Sequence, residues 1–250
     1  MKRLAMIGAL SAMTVWLAGC GSSGGSIAQA SDAEGLWKDG NGSGDTVGMV
    51  TAAGITTIVT GLISDVTAAP LYKGNVVASS TTVTGGTLTE LTTGGVSTAY
   101  SVTGDTVSAK HSLVIVGEAG ADTVTFDLVY DSGYERASSL GYLTGLWGTD
   151  ATTTMVIDDS GTVTSGYDAL TECNITGAFS MIDGGKNLYG VSLTMHNCAA
   201  YAEGSSFSGY ATLSDADGGT LNSMLLAAGG TVDTATAVPF SRVMGKAVAP

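Results

Sequence analysis

From about residue 34 onward, apolar and polar residues alternate in short runs with a period of two, and small turn-forming clusters separate the runs. That period belongs to half-buried strands, whose successive side chains point to opposite faces. "VGMVTAAGITT" (47–57) and "TTMVIDDSGTVT" (153–164) each read as strand, tight glycine turn, strand. Later turn signals stand at Asp158 to Gly161, Asp183 to Lys186, Asp215 to Gly219 and Gly229-Gly230. Their spacing leaves room for about eight strands in each half of the chain. Long Ala/Glu/Lys/Leu/Arg stretches are missing; "YERASSLGYL" (134–143) alone breaks the alternation and predicts one short helix within a linker. The fold class expected is all-β. Eight antiparallel strands close into a small barrel filled by side chains, with a sandwich as the competing solution. Closure removes exposed edges, and a chain with few Lys and only 3 Pro has little else to blunt them, so barrels are favoured.

The pattern repeats. Gly35-Leu36-Trp37 opens the first run of strands and Gly145-Leu146-Trp147 the second, and "LYKGNVV" (71–77) has a looser echo in "LYGVSL" (188–193). Echoes in the same order predict two related halves in tandem, a first β-domain over 34–140 and a second over 141–250.

The first residues have another character. Met1-Lys2-Arg3 precedes a largely apolar run from Leu4 to Leu17, too short for a comfortable bilayer span but of the length of a secretory signal. Leu17-Ala18-Gly19-Cys20 follows directly and resembles the lipobox of bacterial lipoproteins. The resemblance implies removal of residues 1–19, acylation of Cys20 as the new N-terminus and, with Gly21 and not Asp next, sorting to the outer membrane. Several acyl chains hold a protein stably where one does so only marginally. Residues 20–33 would then be the lipidated Cys and a flexible Gly/Ser tether.

Removing residues 1–19 leaves seven basic residues against 22 acids, a formal charge of −15. No basic stripe exists to neutralise phosphates, so nucleic acid is excluded as a partner. The two remaining cysteines, Cys173 and Cys198, form an even pair in an exported chain and predict a disulfide; His196-x-Cys198 offers too few ligands for a metal.

The stretch between them tests that pairing. Cys173, Ile175, Phe179 and Met181 share one face of a strand, and Tyr189, Val191, Leu193 and Met195 share one face of its return. Bringing both apolar sets together requires paired positions summing to an even number such as 370, from a three-residue loop at 184–186, and that turns Cys198 away from Cys173. A β-bulge near His196-Asn197 is expected to restore the phase.

"YERASSL" (134–140), "GLW" (145–147), the turn at 158–161, "CNITG" (173–177), "NLYGVSLT" (187–194), Cys198 and "FSGYATL" (207–213) are similar to a group of uncharacterised proteobacterial lipoproteins. That resemblance implies an outer-membrane lipoprotein and names no activity.

Candidate chemistry is sparse. In "DGNGSGD" (39–45), Asp39, Asn41, Ser43 and Gly44 fit the opening of a calcium loop, but Val50 stands where the bidentate Glu belongs, so a hairpin loop is the simpler reading. His111 and His196 are the two histidines, and the mature chain has no G-x-S-x-G elbow. Asp158-Asp159 belongs to a turn, whereas Asp127 and Asp131 sit four apart on one strand-like run. Trp37 and Trp147 read as plugs at one barrel end, Tyr134 and Arg136 as linker packing, Tyr201 and Tyr210 as core or interface. The function expected is non-catalytic: binding or envelope adaptation by a body held to the membrane through the lipid on Cys20, without cofactor or metal, its protein or small-molecule ligand unspecified. The alternatives are a surface-exposed inhibitor of a basic host enzyme such as lysozyme and, behind it, a hydrolase using Asp127 and Asp131.

Overall fold

The computed structural model describes residues 32–41, 43, 45–62, 69–79, 81–95, 97–107, 112–148, 152–215, 221–232 and 236–247. Two antiparallel meanders each close on themselves. The first runs through β1 (Gly35–Asp39), β2 (Val47–Val50), β3 (Ile55–Val59), β4 (Leu71–Ser79), β5 (Thr82–Leu91), β6 (Ser97–Val107), β7 (Ser112–Ala119) and β8 (Asp122–Tyr130). Pairing of Trp37 with Tyr130 closes it. The second comprises β9 (Gly145–Gly148), β10 (Thr153–Ile157), β11 (Thr162–Asp168), β12 (Cys173–Met181), β13 (Tyr189–His196), β14 (Ser205–Ser214), β15 (Ser223–Thr231) and β16 (Ala237–Lys246). There, Lys246 meets Trp147. Both halves are barrels, not sandwiches.

The connector holds a 3₁₀ turn at Ser132–Glu135 and one helical turn, α1 (Leu140–Leu143), where a single short helix is expected from the sequence. Asp131 and Ser139 cap these two turns by accepting from the backbone N–H groups of Gly133 and Gly141.

The echoes in the sequence are repeated hydrogen bonds in the fold. Trp37 donates its indole N–H to the carbonyl of Ala33 at 2.9 Å, and Trp147 donates to Leu143 at 2.6 Å, four residues back in each case. Thr51 and Asp158 each accept from the turn glycine three residues on, Gly54 or Gly161. Those glycines lie at φ 77 and 84, a left-handed conformation costly to side chains with a Cβ. Their carbonyls accept, at 2.8 Å each, from Val76 of β4 and Phe179 of β12. The same hairpin is thus docked onto the same neighbouring strand in both barrels.

Inward residues fill each barrel. Trp37, Ile58, Val76, Leu88, Leu113, Ile115 and Leu128 build the first core; Trp147, Met155, Ile175, Tyr189, Leu193, Phe207 and Phe240 belong to the second. A third apolar cluster lies between the barrels. Leu36, Met49, Val59, Leu71 and Leu91 on the outer wall of the first pack with Leu225 and Ala227 of β15, Leu188 and the connector's Tyr134. Strands here are buried on both faces; β2 is buried at all four positions. Lys73 crosses this seam and donates to the carbonyls of Ser208, at 2.6 Å, and Gly229, at 3.3 Å. A Cβ on Gly229 would stand 2.5 Å from Leu91, so close approach of the walls depends on that glycine.

The β12–β13 ladder keeps one register from Asn174–His196 to Met181–Tyr189, every pair summing to the expected 370. Cys173 and Cys198 are joined as a disulfide. The phase problem is solved differently from the expected bulge. The ladder stops at His196, and Asn197 takes a left-handed conformation, φ 51, that swings Cys198 back toward Cys173. Asn tolerates that region better than most residues. Two further expectations need correction. The connection is wider than residues 184–186, since the strands end at Met181 and Tyr189, although Asp183 still accepts from Lys186 in a tight turn within it. Met181 is 47% exposed despite its apolar parity, because it sits at the strand end where the wall no longer covers it.

Candidate functional site

A concavity lies at one mouth of the first barrel, where β1 ends, β8 passes beside it and residues 40, 41, 43, 45 and 46 fold over. Asp39 pairs with Leu128 across the closing strands and is 7% exposed. The loop is held by its own polar groups. Gly40 N–H donates to the carbonyl of Asp127 at 2.8 Å, Ser43 N–H to Asn41 Oδ1 at 2.7 Å, and the Ser43 hydroxyl to Asp39 Oδ2. Asp45 N–H reaches Ser43 Oγ at 3.2 Å. The oxygens that suggest a calcium loop therefore brace a hairpin loop.

Under the loop is a cleft of about 410 Å³ lined by Asp39, Asp45, Asp127, Thr60, Tyr72 and Phe126, among others. The Tyr72 and Phe126 rings meet edge to face at 4.9 Å. Tyr72 donates to Glu90 Oε1 at 3.1 Å, and Tyr100 donates to Glu90 Oε2 at 3.0 Å, so one carboxylate fixes both phenols. Burial, then the charge of Glu90, pushes the Tyr72 phenol far above its ordinary value. It remains a donor throughout the neutral range. Three carboxylates border the opening, and no Lys, Arg or His is among the described residues lining it. Such a concavity focuses negative potential and favours a cation, and the negative faces of aromatic rings add to that preference.

The matching place in the second barrel is filled. Counting back from the closing pairs, Arg242 occupies the position of Phe126. Its guanidinium donates to Asp168 Oδ1 from Nε at 3.0 Å and from Nη2 at 2.8 Å, and to Thr153 at 2.9 Å. Asp168 Oδ2 accepts from Thr171 through both its N–H and its hydroxyl, and both members of the ion pair are buried. Nothing in the sequence reading singled this pair out. Arg242 shares the inward parity of Phe240 and Met244, a signal available in the alternation. The β-bulge between Val156 and Ile157 hides the parity of Asp168.

The chain matches no family model, no curated protein and no solved structure.

The remaining candidates fall elsewhere. Asp127 borders the cleft, but Asp131 lies beyond the other end of β8, where it caps the 3₁₀ turn and pairs with Lys38 at 2.7 Å. Four steps of extended chain separate the two by roughly 13 Å. The structure therefore does not bring them together as an acid–base pair. Asp158 accepts from Ser160 and Thr162, which hold its carboxyl below the usual range, in a turn. Trp37 and Trp147 are fully buried, out of reach of a ligand. Tyr134 donates to Glu34 at 2.7 Å in the seam, and Arg136 pairs with Asp215 at 3.2 Å, as packed linker residues. Tyr201 packs its ring at a tilt against Phe207, 5.5 Å between centroids, whereas Tyr210 packs against the seam. His196 contacts Glu203 through Nδ1 at 2.7 Å and Thr176 through Nε2 at 3.1 Å. A hydroxyl, imidazole and carboxylate in that order have the layout of an acyl-transfer relay. These stand on the outer wall, however, and Glu203 also accepts from Asn197 N–H at 2.7 Å, so the trio pins the turn beside the disulfide. Cys20 and His111 lie outside the described residues.

Proposed function

We propose that this chain is a lipid-anchored outer-membrane protein with a non-catalytic binding role, and that the acidic mouth of its first barrel receives a cationic group of a partner. The observation carrying this reading is the contrast between two repeated mouths. In the second barrel Arg242 and Asp168 fill the position from within. In the first, the aromatic pair Tyr72–Phe126 underlies a cleft bordered by Asp39, Asp45 and Asp127. An acidic opening with aromatic walls suits a lysine or arginine side chain offered by a protein surface, which supports inhibition of a basic host enzyme as one form of the role. Lipid on Cys20 would supply the membrane contact, because an acidic body is repelled by anionic headgroups.

Hen-type lysozyme, a basic protein, is a direct probe. The full chain in mild detergent should bind it with an affinity that falls as salt rises from 50 to 500 mM. Replacing Asp39 and Asp127 by Asn should weaken binding about tenfold or more. Binding indifferent to both salt and these substitutions would overturn the cleft as the docking point. For the anchor, Cys20→Ser should release the protein from the membrane fraction, and retention there would contradict a lipid attachment.

A further inference from the structure

We infer that the outer wall formed by β9, β10 and β11 is where two copies of this chain associate, face to face about a two-fold axis. Leu146 of β9 and Val156 of β10 stand directly opposite one another in register, 44% and 38% exposed. Tyr167 of β11, 45% exposed, pairs with Thr154 one row away, while Tyr142 and Leu170 are exposed just outside these strands. Among the described residues, five of the eleven large apolar side chains that are exposed thus lie on or beside one wall. Concentrations of this kind mark association surfaces more often than scattered exposed residues do.

The repeat shows what such a wall does elsewhere in the molecule. Aligning Trp37 with Trp147, and the Thr51–Gly54 turn with the Asp158–Gly161 turn, sets Leu36 against Leu146 and Met49 against Val156. The cross-strand pairs Val47–Val59 and Thr154–Tyr167 then set Val59 against Tyr167. In the first barrel these positions are buried, covered by the β15 side of the second barrel. The corresponding wall of the second barrel keeps its apolar side chains, and no described residue covers them.

Charge selects the occupant. The chain carries a net −13, so most surfaces of two copies repel. Strands β9, β10 and β11 hold one charged residue, Asp168, and it points into the barrel. By contrast, the β6–β8 side of the first barrel exposes Asp105, Glu118, Asp122 and Asp127. A head-to-tail contact would press those acids onto an apolar wall. An isologous contact matches apolar to apolar across the strands themselves and leaves Asp158, Asp159 and Glu172 at its rim.

The test uses the full chain in membranes and in mild detergent. A photoreactive benzoyl-phenylalanine at position 156 should cross-link two chains into a product of twice the mass of the single processed chain, while the same probe at position 129, also exposed but on the first barrel, should not. Light scattering should give a dimer that tightens with added salt, as screening relieves repulsion. Leu146→Lys with Val156→Lys should shift it to monomer, with the Cys173–Cys198 disulfide intact as the sign of folding. If that variant fails to fold, Val156→Thr keeps the strand shape and should still raise the dissociation constant several-fold. A wild-type monomer at tens of micromolar, equal cross-linking at both positions, or a product containing lipid or another protein at position 156 would overturn the inference.

Discussion

Single residues in this chain do most where charge is buried. Arg242 and Asp168 satisfy each other inside the second barrel, and removing one partner leaves an uncompensated charge there. Asp168→Ala should therefore cost about 3–5 kcal/mol, read from urea unfolding. In the first barrel the corresponding residue-scale feature is a phenol. The folded state raises the Tyr72 pKa, so its contribution to stability is fully present below the unfolded value of about 10 and is lost as pH rises beyond it. Tyr134 is shifted the same way, by burial and then by its bond to Glu34. An alkaline limb of destabilisation beginning near pH 10 should result, and Tyr72→Phe should shrink it; an unchanged limb in that variant would assign it to other groups. Residue by residue, the sequence was most readable where parity was unbroken. Ile175, Phe179 and Leu193 announce their inward face directly, whereas Asp168 follows a bulge that reverses parity, and Gly166 within the irregular stretch does not say which residue is the extra one. The acidic cleft was illegible for another reason. Asp39 and Asp127 meet only because the last strand of the first barrel returns to its first, and no local pattern encodes which acid will stand opposite which.

At the scale of the element, the disulfide hairpin is held twice. The β12–β13 ladder has a complete register of its own, and the bond between Cys173 and Cys198 closes its open end. Replacing both cysteines by Ala should lower stability by about 3 kcal/mol in the chain-entropy account while leaving the far-ultraviolet circular dichroism unchanged. The repeated glycine turn is less forgiving. At Gly161 a Cβ would lie 2.5 Å from the Phe179 carbonyl oxygen, in a left-handed backbone. Gly161→Ala should cost about 2 kcal/mol or more, measured by thermal unfolding. The hairpin register followed from apolar parity alone, but the solution at its end did not. Both a bulge and a left-handed Asn restore phase, and sequence parity does not distinguish them.

The whole molecule is two barrels sharing a wall. That arrangement left a trace in the sequence that strict alternation obscures: "VGMV" and "SMLLAAGG" are nearly continuous apolar runs, the pattern of strands buried on both faces. Because Leu71, Leu91, Leu225 and Ala227 pack in one cluster across the seam, the barrels should unfold in a single denaturant transition. Gly229→Leu, which thrusts a side chain at Leu91 and Lys73, should separate that transition into two. Retention of one sharp transition in the variant would show that the seam contributes little to cooperativity.

The shared wall also sets an order of events during synthesis. The first barrel is complete once Tyr130 has emerged, because its closing strand β8 is then present. Its outer wall at Leu36, Met49, Val59 and Leu71 is not complete, since the strand that covers it, β15, is encoded almost a hundred residues later. For that interval the chain presents a finished barrel with an adhesive side. A helper protein, or sheer speed of emergence, must shield that surface until the C-terminal strands arrive, and a chain truncated within the second barrel would carry it permanently.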